Sequence, residues 1–329
     1  AAVTGTLPET VEILFPDGSH KTFAVHSCVV TGKSVTASII KDAGDDPDVT
    51  NRAEICATIE LYHHEEVEDP CVLHENIQLF RGKGVGIVTK PGLAISVGEP
   101  AINPVPRQMI YNAVQDVTKE PVSVTISVTN GERLAEKTLN KRLGILGGLS
   151  ILGTTGIVRP VSADAWTATI SATMDVAKEA GLKDIVISTG RTSEKGAQHL
   201  LNLPEEAYVE MGDYLYFSLN EARERGFTTV HYSGMWAKVM KAALRIPQTH
   251  VKNGALEVTQ GAELLESLGA LPPLTELLYK SNTAREMLTH IEATGQKELI
   301  TKVCAKAKEY AEEVAQTKVH IYLIDHKTK

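Results

Sequence analysis

The chain has few aromatic residues: 5% of 329, with two tryptophans. A surface that stacks bases needs more, so a single-stranded nucleic-acid platform is not expected. Positive charge is also short. Lys and Arg number 33 against 41 Asp and Glu, for a net charge of -8. General nucleic-acid binding wants a basic face, so it is disfavoured as well. Four cysteines, Cys28, Cys56, Cys71 and Cys304, never fall in a CxxC spacing. They read as reduced cytosolic thiols and offer no disulfide frame or zinc site. No apolar run reaches membrane-spanning length, and residues 1–10 lack the basic-then-apolar pattern of a signal peptide. The expectation is a cytoplasmic, soluble protein with no protein-held metal.

Glycine is distributed unevenly. Five of the 25 glycines lie between Gly144 and Gly156, with Leu and Ile filling the gaps. Such a segment must be held against a core, because its apolar side chains need burial, while glycine permits close backbone approach. Residues 137–163 contain no acid but carry Lys137, Lys141, Arg142 and Arg159. In an acidic protein that window suits an anionic ligand. A hinge between two domains is the plainer alternative. Residues 76–98 repeat the theme: no acid, with Arg81, Lys83 and Lys90 around Gly82, Gly84 and Gly86. That spacing is not G-x-G-x-x-G, and no βαβ pattern surrounds it.

The length allows two domains. In the first half, residues 11–15, a Pro16-Asp17-Gly18 turn and residues 22–30 predict a hairpin. Further strands are expected at 36–40, 52–61 and 122–129. Asn103 with Pro104 predicts a helix start, running to about residue 117. Many strands with few helices give an α+β domain over 1–150. Residues 42–48 hold Asp42, Asp45, Asp46 and Asp48. The spacing is wrong for an EF-hand loop. A solvated turn and an acid–base role are both open. The charged run at 62–69 reads as a solvated hairpin tip.

After residue 160, strand and helix alternate. Strands are predicted at 184–188, 207–211, 228–232 and 318–324, with helices between and a further helical stretch at 258–316. Alternation of this kind predicts an α/β, Rossmann-like domain with a parallel sheet over 151–329. Ligands in such sheets bind beyond the carboxyl ends of the strands. Thr189, Gly190, Arg191, Thr192, Gly212, Asp213, Ser233, Gly234 and Asp325 fall there. Small residues at helix N-termini offer backbone N–H groups to anions, and an Asp there can accept from ribose hydroxyls.

Five stretches together resemble the CbiD family, the cobalt-precorrin-5B C(1)-methyltransferases of anaerobic cobalamin biosynthesis. They are KDAGDDPDVT at 41–50, GKGVGIVTKPG at 82–92, GEPAINPVPR at 98–107, LGILGGLSILGTTGIVRP at 143–160 and STGRTSE at 188–194. The resemblance implies methyl transfer from S-adenosylmethionine to C1 of a cobalt-containing corrin precursor. The substrate is a small molecule rich in carboxylates, with no nucleic-acid or membrane partner; a homo-oligomer is compatible with it. Arg81, Lys83, Lys90, Asn103, Arg107, Arg142, Thr154, Thr155, Gly156 and Arg159 are then the expected substrate contacts, the arginines as bidentate partners. The crest from Thr189 to Thr192, with Gly212, Asp213, Ser233 and Gly234, is expected to hold S-adenosylmethionine. A donor already so reactive needs mainly alignment, and Asp42, Asp45 and Asp46 are the candidates for any proton transfer. Family members usually begin with a TTGTCAAAA-like segment and a helix, and the chain is expected to start just after it. The family's G-x-x-G-K-x-x-K run followed by T-H-S stands here as residues 234–241, with Ala237 at the second glycine, and residues 249–251, with Val251 at the serine. A tetrapyrrole carrier without catalysis is the alternative reading. A nicotinamide-dependent reductase is a weaker one, because no G-x-G-x-x-G follows residues 184–188.

Overall fold

The computed structural model describes residues 1–61, 71–153, 155, 163–248 and 258–325. The chain divides into two compact units, Ala1–Ser162 and Ala163–Lys329. It is a mixed α/β protein with several sheets, including a four-stranded parallel one.

In the first unit, β1 (Thr10–Leu14) pairs antiparallel with β2 (His20–Ala24). Gly18 turns the chain between them at φ 81°. The expected strand over 22–30 divides here, because the chain changes partners. Val25 N–H donates to Glu9 O, and His26 N–H donates to Ser38 O. Strand β3 (Ser27–Thr31) then pairs with β4 (Ser34–Ile40), which pairs with β5 (Glu54–Leu61). Strands β6 (Cys71–His74) and β7 (Ile77–Arg81) follow. Next come the two-residue strands β8 (Gly84–Val85) and β9 (Ile87–Val88), then helix α1 (Pro104–Gln115) and strand β10 (Val122–Val128). Helix α2 (Gly131–Ala135) and two more short strands, β11 (Ile145–Leu146) and β12 (Gly148–Leu149), complete the unit.

The six-stranded sheet has the order β3-β4-β5-β10-β7-β6. All its pairings are antiparallel except β10 with β7. Strand β10 is central, and every second residue, from Val122 to Val128, is buried. That period-two burial is what a sheet with one covered face imposes. Ile77, Leu79, Ile102 and Tyr111 join it in one apolar core.

The second unit follows the expected alternation: α3 (Ala163–Glu179), β13 (Asp184–Ser188), α4 (Arg191–Leu200), β14 (Tyr208–Glu210), α5 (Leu215–Glu224), β15 (Thr229–Gly234) and α6 (Trp236–Ala243). Helices α7 (Val258–Ser267), α8 (Leu274–Lys280), α9 (Ala284–Ala293) and α10 (Glu298–Ala315) precede the last strand, β16 (Lys318–Leu323). The sheet order is β14-β13-β15-β16, all parallel. Ile185, Ile187, Val230, Tyr232 and Val319 face the large helical core, while Val186 packs with Ala197 of α4 on the other side. Both faces are covered, as parallel strands require. Gly181 ends α3 at φ 76° and Gly226 follows α5 at φ 74°, the left-handed conformation that favours glycine after a helix.

Candidate functional site

The two acid-free glycine windows are bonded to each other. Strand β8 pairs parallel with β12, Gly84 opposite Gly148, and β9 pairs antiparallel with β11, Val88 opposite Ile145. Glycine is obligatory at this crossing. A Cβ on Gly148 would lie 2.4 Å from the carbonyl carbon and oxygen of Gly84, and one on Gly131 would lie 2.2 Å from Gly84 O. One backbone therefore rests directly on another.

Positive side chains flank the crossing. Arg81 and Lys83 bracket Gly82, and both are exposed. Arg81 Nη1 donates to Val85 O at 3.2 Å. The Lys90 side chain covers Gly144, where a Cβ would meet its Cβ and Cγ at 2.5 Å, and its Nζ donates to Arg142 O at 3.4 Å. Thr89 Oγ1 donates to Gly144 O at 2.7 Å. Lys90 and Arg142, 52 residues apart, thus meet. Thr154, Gly156 and Arg159 lie outside the described residues; Thr155 is described and exposed.

Arg107 is held within its own loop. It donates from Nε to Ile102 O at 2.6 Å and from Nη2 to Pro100 O at 3.2 Å, and it pairs with Glu99 at 2.9 Å. Asn103 begins α1 without a side-chain capping bond, while its carbonyl accepts from Arg107 N–H at 3.0 Å.

The aspartate loop joins β4 to β5. Asp42 and Asp45 are exposed and Asp46 is half-buried. Asp42 Oδ1 accepts from Gly44 N–H at 2.9 Å, a local turn bond. The carboxylate most firmly held is Asp48, which sequence reasoning did not single out. It pairs with the Lys41 ammonium and accepts from Thr50 N–H at 2.7 Å. Burial raises its pKa, but the Lys41 and Thr50 bonds outweigh that and hold it below the ordinary value. The signal in sequence was Lys41, seven residues upstream of Asp48.

In the second unit the sheet order brings the predicted crest together. Thr189 and Gly190 follow β13, Gly212 and Asp213 follow β14, and Ser233 and Gly234 end β15, on three adjacent strands. Gly190 has φ 151° and starts α4; Arg191 and Thr192 are exposed on its first turn. Ser233 is fully buried, and its Oγ donates to Ser193 O at 2.7 Å, so it laces β15 to α4. Thr189 N–H donates to Ser233 O at 3.2 Å. Asp213 is paired with Lys238 of α6. Beside them Lys241 is 3% exposed. Burial lowers its pKa, Lys238 lowers it further, and Asp213 opposes both.

Two more groups belong to this edge, and sequence reasoning missed both. Glu210 ends β14, and its Oε1 lies 3.9 Å from where a Cβ on Gly190 would sit. The available signal was spacing, since an acid about twenty residues beyond a glycine turn is a ribose-binding pattern in doubly wound folds. Trp166 lies against Gly212, with ring atoms 3.0–3.2 Å from where a Cβ would be. Its indole N–H donates to Met211 O at 3.2 Å, and the residue is 42% exposed. A glycine without Cβ facing a carboxylate, next to an exposed indole, is a cradle that can accept a nucleoside. Among the described residues no three His, Cys, Asp or Glu side chains gather as a metal site, and no helix is long and apolar enough to cross a membrane.

Two family matches cover the first unit and the C-terminal part of the second. The CbiD family matches residues 1–160, and the CbiD C-terminal domain matches residues 248–329. A Desulfotalea psychrophila protein named cobalt-precorrin-5B C(1)-methyltransferase is 59% identical, over 99% of this chain and 90% of its own. Proteins of the same name from Geobacter metallireducens and Thermus thermophilus are each 44% identical, covering 93% and 87% of this chain and 86% and 75% of their own. A crystal structure of a cobalamin biosynthesis protein, CbiD, from Archaeoglobus fulgidus is similar at 23% identity over 72% of both chains, with TM-score 0.36. With identity of this level along nearly its whole length and family segments matched at both ends, the chain belongs to the CbiD family.

Proposed function

We propose that this chain methylates C1 of cobalt-precorrin-5B to give cobalt-precorrin-6A in cobalamin biosynthesis, with S-adenosylmethionine as donor. The reaction rests on one observation above others: relatives named for it share up to 59% identity across essentially the whole chain. The donor assignment rests on the edge of the parallel sheet. We read the second unit as Rossmann-like. Gly190 leaves open the space beside Glu210, and Gly212 leaves the space that Trp166 borders. Glu210 is positioned to accept from ribose hydroxyls, and the exposed indole to lie against an adenine ring. When bound, the donor supplies a methyl group on sulfonium, an electrophile that needs no further activation.

Arg81, Lys83, Lys90 and Arg142 supply the positive charge that peripheral carboxylates of a corrin precursor require. Because they flank a crossing of bare backbones, they stand on a rigid base, and little ordering is needed on binding. Cobalt arrives with the substrate in this scheme. Asp42, Asp45 and Asp46 are the assigned acceptors for any proton the ring gives up.

Calorimetric titration with S-adenosylhomocysteine tests the donor site. The wild type should bind, Glu210→Gln should weaken binding about tenfold, as loss of a charged hydrogen bond does, and Gly190→Val should abolish it. Binding insensitive to both changes would move the donor away from this sheet edge. A wild type that binds a corrinoid with no coupling to S-adenosylhomocysteine would be a carrier.

A further inference from the structure

We propose that residues 91–97 form a carboxylate-binding loop that grips one acidic side chain of the tetrapyrrole. This deepens the reading above and rests on it for the identity of the ligand. Residues 91–97 line a concavity of about 270 Å³. Several waters, or a carboxylate with waters beside it, fill such a volume.

The loop is fixed at both its neck and its back. At the neck, Val88 N–H donates to Glu99 O at 3.1 Å, and Gly98 N–H donates to Val88 O at 2.8 Å. At the back, Ile95 is 4% exposed and packs with Val88, Ala101 and Ile145, with Leu93 against them. A loop nailed down in this way would be expected to use its backbone donors internally. It does not: among the described residues, no backbone N–H from Gly92 to Val97 donates to a protein acceptor. Gly92 turns the chain at φ 105°. Successive N–H groups around a concavity make an anion-binding site, because their dipoles add.

The charge surroundings agree. Residues 76–98 contain no acid, and the nearest one beyond, Glu99, is paired with Arg107 at 2.9 Å. Lys90 adjoins the loop, its side chain held over Gly144. The loop also continues from the strand β9 that pairs with β11, so it belongs to the same rigid crossing as the other cationic groups.

Ala94 is exposed, which makes it the position for a charge test. Dicyanocobyrinic acid, a stable corrinoid with free carboxylates, is titrated optically into wild type, Ala94→Asp and Ala94→Asn. Dicyanocobinamide, with amides in their place, is the neutral probe. The proposal expects Ala94→Asp to weaken the acid about tenfold, the effect of one like charge near a bound carboxylate at an intermediate dielectric, while Ala94→Asn and cobinamide change by less than a factor of about three. Equal loss in Asp and Asn variants would overturn it in favour of a steric effect. An unchanged affinity for the acid in Ala94→Asp would also overturn it, leaving the methyltransferase reading intact. A wild type that takes neither corrinoid would instead sink that reading, and this proposal with it.

Discussion

The glycine crossing gives the strongest quantitative expectation. In Gly148→Ala the new Cβ would sit 2.4 Å from the carbonyl carbon and oxygen of Gly84 and 2.7 Å from the carbonyl carbon of Val85. Ordinary contact begins near ~3.5 Å, so the segments must part by about 1 Å. The opposing atoms are backbone and cannot swing aside. Overpacking of this kind costs roughly 1–3 kcal/mol. Two hydrogen bonds at the junction would be strained: Gly86 N–H to Leu149 O across it at 2.8 Å, and, on the Gly148 side, Asn140 Nδ2 to Gly148 O at 3.2 Å. At about 1 kcal/mol each, the total is about 3–5 kcal/mol. The neighbouring position is the control. A Cβ on Gly147 meets only Arg81 Nη1, at 3.5 Å, but Gly147 has φ 80°, so Gly147→Ala should cost the left-handed strain alone, roughly 1–2 kcal/mol. Urea unfolding followed by circular dichroism compares the two, with hydrogen exchange at Gly86 and Val88 as the local probe. Both tryptophans, Trp166 and Trp236, lie in the second unit, so their fluorescence transition serves as an internal reference. If Gly148→Ala fell within about 1 kcal/mol of Gly147→Ala, the low end of an overpacking cost, the crossing would be looser than its geometry says.

Asp48 carries a pH expectation. Its folded pKa lies below the ordinary value. The stability it contributes is therefore whole above that ordinary value, about 3.9, and is lost as pH falls through the folded value. Asp48→Asn should lower the unfolding midpoint at pH 6 and flatten the acid limb; parallel limbs in both proteins would refute the assignment. Arg225 joins Asp175 at 2.8 Å and Glu221 at 3.0 Å, and its side chain and that of Glu221 are 14% and 13% exposed. Arg225→Met should cost roughly 2–3 kcal/mol, less than the roughly 3–5 kcal/mol of a stranded buried carboxylate, because Ser171 Oγ still donates to Glu221. Adding Glu221→Gln should recover part of that loss, and strictly additive costs in fluorescence-detected unfolding would count against the pairing.

The second unit was legible because its signals are local. Its strands are short runs, glycine stops α3 and α5, and the parallel order follows from alternation. Observed bounds such as Asp184–Ser188 and Lys318–Leu323 lie within a residue of the expected ones. The first unit was less legible, because pairing there is non-local. Residues 22–30 have one continuous strand pattern, yet two different partners claim its halves. Asn130-Gly131 reads as a turn that ends a strand. Asn130 does adopt φ 58°, but its turn opens directly into α2, a helix too short to show a period. Glu210 was hidden for a different reason. It sits within an apolar strand run, where only its spacing from Gly190 marks it in the sequence; the structure brings its carboxylate beside Gly190 of the next strand. Among the aspartates, composition marked a cluster, but the position of Lys41 chose Asp48.

The glycine windows show how one composition supports two opposite readings. Glycine between domains reads as a hinge, and in residues 144–148 that reading required only freedom. The same residues pair with 84–88 through strands of two residues each. A two-residue strand has no periodicity, so its only evidence is the partner sixty residues away. Once paired, the absence of side chains acts the other way: bare backbones meet so closely that neither has room to move. Charge separates the readings on physical grounds. In a chain with eight more acids than bases, a hinge gains nothing from excluding acids over two separate windows. A rigid platform for a polycarboxylate gains at every excluded acid, because each would repel the ligand at close range. The proposed platform accounts together for the exposed Arg81 and Lys83, the meeting of Lys90 with Arg142 and the compensation of Glu99 by Arg107.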